Sequence, residues 1–169
     1  MASTPVRAAL DEKSALHSNV RDGLGAVAKE HHGKLHQDVR AHFGDSLDLD
    51  EAIRPGHDQE HRWDYLLGHT PSNKIVAVEP HSAESHEVKV VIAKRKAALE
   101  QLRPHLRNGA RVAAWIWVAS GRNQFTDTEK ARRLLDQSGI EFVCPTVLAK
   151  HLPAAAPPPA VRQGRGRRR

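Results

Sequence analysis

The chain has 169 residues, with 26 Lys plus Arg, 20 Asp plus Glu and one cysteine. That length suits one domain with a substantial core, and the lone Cys144 excludes both a disulfide framework and a thiolate zinc cluster. No run approaches the roughly 18 apolar residues of a membrane helix, and the start MASTPVRAALDEK has no apolar signal core, so a cytoplasmic protein with no membrane partner is expected. The net charge of +6 is unevenly spread. Residues 1–60 hold 7 basic and 11 acidic residues, residues 61–160 hold 14 and 9, and residues 161–169 hold 5 arginines and no acid. Such a tail attracts phosphate by counterion release and reads no sequence, which makes nucleic acid a candidate partner.

Along the chain, Leu16, Val20, Leu24, Val27, Leu35, Val39 and Phe43 recur at spacings of three and four, with His31 filling the gap. This stripe predicts a long amphipathic N-terminal helix, or two helices broken near Gly33, and Gly44 reads as the stop. A stripe too wide for one core would make that helix a homodimer contact. Asp45 to His61 is acidic and weakly periodic, and is expected to be a loop with at most a short strand around Leu47 to Ile53. RWDYLLGH and KIVAVEPH, separated by TPSN, predict an antiparallel hairpin. Val88, Val91, Ile92, Leu99, Leu102 and Leu106 predict a second helix, closed by Asn108-Gly109.

ARVAAWIWVAS is apolar on both alternating faces, as a central strand covered on both sides requires; Trp115 and Trp117 share one face and are expected in the core. Thr126 with Glu129 forms a capping box for a helix ending near Gly139, and IEFVC supplies a last strand before Pro145. The expected fold is therefore α/β with a mixed sheet, one domain over residues 8–152, followed by a disordered tail over 153–169 that is Pro/Ala-rich and then Arg-rich.

The chemistry-bearing constellation is Asp64 on the first hairpin strand and Glu79 near the end of the second, followed by Pro80 and His81. Carboxylates on paired strands can converge and hold a hard divalent ion through oxygen, and such an ion supports phosphodiester hydrolysis. The plainer alternative makes them ordinary strand-end acids paired with Arg62 and Lys74.

Asp64, fourteen intervening residues and Glu79-Pro80-His81, in the order helix, hairpin, helix, strand, resemble the PD-(D/E)xK, or restriction-endonuclease-like, superfamily of nucleases. The resemblance covers roughly residues 10–145. It implies a restriction-endonuclease-like core in which Asp64, Glu79 and the carbonyl of Pro80 ligate Mg2+ or Mn2+, and position 81 orients the attacking water. Position 81 is His where the superfamily has Lys. A neutral imidazole can serve as a base near neutral pH. In some members the lysine migrates to the following helix, which here offers Lys89, Lys94 and Lys96, and His86 and Glu87 start that helix. A nuclease-like enzyme and a non-catalytic adaptor of the same fold both follow from this.

Candidate nucleic-acid contacts are Lys94 and Lys96 in a basic run, Arg122 in a polar loop, and Arg165 and Arg167 in the tail. Without a partner the run Lys94 to Lys96 reads as a solvated face. His32 and His36, at i,i+4 on the expected N-terminal helix, form a weaker zinc alternative, and Glu30 on the same helix is a further candidate ligand near Asp64 and Glu79.

Overall fold

The computed structural model describes residues 3–84, 86–119 and 128–160. Six strands form one sheet in chain order: β1 (Arg21–Asp22), β2 (Phe43–Asp48), β3 (Tyr65–His69), β4 (Lys74–Pro80), β5 (Val112–Val118) and β6 (Ile140–Val143). The first four strands run antiparallel to their neighbours, and β5 and β6 continue parallel to β4. Among the described residues the α-helices are α1 (Pro5–Ala9), α2 (Gln37–Arg40), α3 (Leu49–Ile53), α4 (Glu87–Leu102) and α5 (Glu129–Gln137). The connections α4 and α5 are the crossovers that parallel strands need. The α/β class, the mixed sheet, the hairpin, both later helices and both later strands thus match the sequence expectation.

Strand alternation divides the interior into two cores. Leu66, Ile75, Ala77, Trp115 and Trp117 face α1, α3, α4 and α5, whereas Tyr65, Leu67, Val76, Val78, Ile116 and Val118 face the other side. Both tryptophans are buried, so neither is an open platform for a base.

The long N-terminal helix is not present. Residues 15–43 instead run through turns at Ala15–Asn19 and Lys29–Lys34, the two-residue β1 and the single-turn α2. The physical reason lies in where the stripe goes. Leu16 and Val20 pack into the α4-side core, while Val27, Leu35, Val39 and Phe43 pack into the opposite one. One straight helix cannot touch both faces of a sheet, so the segment wraps around the sheet edge.

The expected loop from Asp45 to His61 is replaced in its first half, by β2 and α3, while residues 54–64 carry no helix or strand. Its acids explain the order there. Asp45 is fully buried and accepts from the amides of Val6 and Arg7 at 3.0 Å each, tying α1 to the sheet, and Asp48 caps α3 by accepting from Glu51 N at 2.9 Å. The fold accordingly begins before residue 8, with Val6 buried. At the far end, Ala156 N donates to Pro71 O at 2.8 Å, and residues 154–160 are exposed. The N-cap of α5 is Thr128, which accepts from Ala131 N; Thr126, like the tail after residue 160, lies outside the described residues. Among the described residues no helix is long and apolar enough to cross a membrane.

Candidate carboxylate site

Register and parity bring the two predicted carboxylates together. Tyr65 pairs with Val78, so Asp64, one residue before β3, stands opposite Glu79. Both positions share the parity of Leu66 and Ala77, which places them on the face covered by α4. The Asp64 amide donates to Glu79 Oε2 at 2.9 Å, and its carbonyl accepts from Leu49 N at 2.8 Å, which fixes the start of β3 against α3.

Lys94 completes the cluster from α4. Its ammonium donates to Glu79 Oε1 and lies 3.8 Å from Asp64 Oδ1. The reading of Lys94 as part of a solvated basic face is therefore corrected. The signal was available: Lys94 sits three residues after Val91 and four before Ala98, both buried, and so belongs to the inward stripe of α4. Lys96 is exposed. Lys89 is exposed too, and five residues from Lys94 is about 140° around the helix, away from the carboxylates.

His81, just beyond β4, is held on three sides. Its amide donates to Val118 O at 3.2 Å, its carbonyl accepts from Trp117 Nε1 at 3.2 Å, and its ring bridges two acids. Nε2 lies 2.5 Å from Glu87 Oε2, and Nδ1 lies 3.8 Å from Glu79 Oε1. Pro80 ends β4 opposite Val118. Glu87 also meets His86 Nε2 at 2.8 Å, and ligand atoms of Glu84, His86 and Glu87 all lie within 4.8 Å of one another beside His81.

The electrostatics follow from burial. Glu79 is fully buried, and desolvation reinforced by the Asp64 charge pushes its carboxyl up to about 8, against the opposing pull of Lys94. Burial raises Asp64 as well, with Lys94 opposing. Burial pulls the Lys94 ammonium down, but Glu79 and Asp64 outweigh it and hold it above its ordinary value. Burial raises Glu87, and the His81 and His86 contacts more than reverse that, leaving it below the usual range.

Two carboxylates facing one ammonium leave a deficit of one positive charge when all are ionised, which favours a proton on Glu79, the more deeply buried of the two. A divalent ion would meet it instead. The donor set of two hard carboxylate oxygens suits Mg2+ or Mn2+.

Other expectations separate from this site. Arg62 pairs with Asp50 at 2.8 Å, and Lys74 is exposed, so the carboxylates take Lys94 in place of those two partners. Glu30 is exposed in the turn Lys29–Lys34, without a contact to Asp64 or Glu79. His32 meets Val27 O, and His36 caps α2 through Asp38 N, so the zinc pair on one helix face is not formed. Arg122, Arg165 and Arg167 lie outside the described residues. No family model, curated protein or solved structure matches this chain.

Proposed function

We propose that the chain is a divalent-metal-dependent phosphodiester hydrolase of the restriction-endonuclease-like kind. The observation that carries this reading is the convergence of Asp64 and Glu79 on one sheet face with the Lys94 ammonium at both. Asp64 and Glu79 hold Mg2+ or Mn2+, with the Pro80 carbonyl as the adjoining oxygen. When bound, the ion neutralises phosphate charge and acidifies a coordinated water.

Lys94 takes the place of the missing lysine at position 81, its fixed charge orienting the developing hydroxide. Glu87 accepts the Nε2 proton of His81. That tautomer leaves Nδ1 open on the Glu79 side, where it takes the proton from the attacking water.

A non-catalytic nucleic-acid adaptor is the second reading. It is favoured by the Lys94 contact with Glu79, which partly supplies the positive charge that an ion would bring. One experiment separates the two. Full-length protein is incubated with plasmid, single-stranded DNA and RNA in Mg2+ or Mn2+, beside EDTA controls and the variants Asp64→Asn and Glu79→Gln. Cleavage lost in EDTA and in both variants is expected. Cleavage that persists in either variant refutes the assignment, and folded protein inert on every substrate supports the adaptor.

A further inference from the structure

The later turns of α4 and the loop that follows it build a second concave region, a cavity of about 660 Å³. It opens near Arg111 and Val112, at the start of β5, whereas Glu79 lies opposite Trp117 near that strand's end. Four arginines line it (Arg95, Arg103, Arg107 and Arg111) against one acid, Glu100. Glu100 is taken by Arg103 at 2.8 Å. Among the described residues no carboxylate pairs with Arg95, Arg107 or Arg111.

Arg95 is the unusual member. Its Nε is buried with no hydrogen-bond acceptor. Its guanidinium lies over the Trp115 ring, 5.2 Å from the centroid, and its Nη2 faces Gly139, where an added Cβ would stand 3.2 Å away. Stacking and the glycine cradle fix the orientation of the fork. A guanidinium keeps its charge when partly buried, so an Nε left without an acceptor favours an anion close to the fork. Arg107 and Arg111 are exposed and free to close on whatever arrives.

We propose that this pocket is a phosphate subsite that takes the backbone of a nucleic-acid strand, with Arg95 as the fixed donor and Arg107 and Arg111 as the mobile ones. The choice of a phosphodiester rests on the hydrolase reading; the pocket's anion chemistry does not. Val112 pairs with Ile75 and Trp115 with Ala77, so the cavity lining meets β4 about 7 to 13 Å along the strand from Glu79.

The test is fluorescence anisotropy of a labelled single-stranded 12-mer with the full chain in EDTA, where Asp64 and Glu79 cannot cleave. The double variant Arg107→Glu, Arg111→Glu should bind at least tenfold more weakly, with a log–log salt slope shallower by about 1.4. Arg95→Lys, which keeps the charge but not the fork, should weaken binding severalfold, while Arg165→Ser with Arg167→Ser leaves the pocket's contribution in place. Unchanged affinity in the double variant, shown folded by circular dichroism, overturns the proposal. Inorganic phosphate that quenches tryptophan fluorescence through Arg95 without displacing the 12-mer would assign the pocket to a free phosphate and overturn the backbone source. Arginine-dependent binding together with failure to cleave in Mg2+ would count against the hydrolase reading alone.

Discussion

Replacing Glu79 by Gln keeps the shape of a fully buried side chain while deleting its titration, and the structure sets the size of the effect. Burial beside Asp64 carries the Glu79 carboxyl from its ordinary 4.5 up to about 8. A pKa raised on folding means that, between those values, the folded chain keeps a proton that the unfolded chain has released. The stability tied to that proton is complete below pH 4.5 and is lost as pH rises toward 8. At about 1.4 kcal/mol per pH unit, the loss between pH 5 and pH 8 is roughly 4 kcal/mol. His69 and His105, both lowered by burial, and Asp48 and Asp64, both raised by it, also make stability pH-dependent, but they are present in both proteins and largely cancel in the difference. The assay is urea unfolding in EDTA at pH 5, 6, 7 and 8. The parent should lose stability with rising pH, and the Gln variant should be nearly insensitive once that shared background is subtracted. Parallel pH profiles would refute the reasoning that Glu79 is a protonated acid poised beside Asp64.

Three further outcomes follow from the same geometry. Because Mg2+ or Mn2+ must ionise Glu79 to bind between it and Asp64, binding at pH 7 should release about one proton per ion; calorimetry in buffers of different ionisation enthalpy measures this, and zero release contradicts it. Gly68→Ala would place a Cβ 1.9 Å from Asp45 Oδ1, so the carboxylate must abandon the amides of Val6 and Arg7. Losing two hydrogen bonds to a charged group should cost about 3–6 kcal/mol in urea unfolding, and a cost under ~0.5 kcal/mol would show that the clamp is dispensable. Lys94→Met should lower cleavage about 100-fold or more while Lys89→Met leaves it intact; equal losses would mean that α4 acts through its general charge and not through the contact with Glu79.

From Arg62 to Val143 the sequence by itself determined the run of elements, because each rests on a period that neighbours in the chain can satisfy: alternation in the hairpin, helical spacing from Val88 onward, and apolarity on both faces around Trp115. The hairpin placed Asp64 and Glu79 on paired strands, but that they share a face was decided by the register, Tyr65 opposite Val78. Two further features were decided only in three dimensions. The stripe from Leu16 to Phe43 has helical spacing, yet its residues are divided between the two faces of the sheet, and spacing reports that a side chain is buried without reporting against what. Lys94 likewise reads as solvated in a basic run, and it turns inward because the helix stripe of Val91 and Ala98 carries it to two buried carboxylates whose desolvation only a nearby positive charge or a proton can offset.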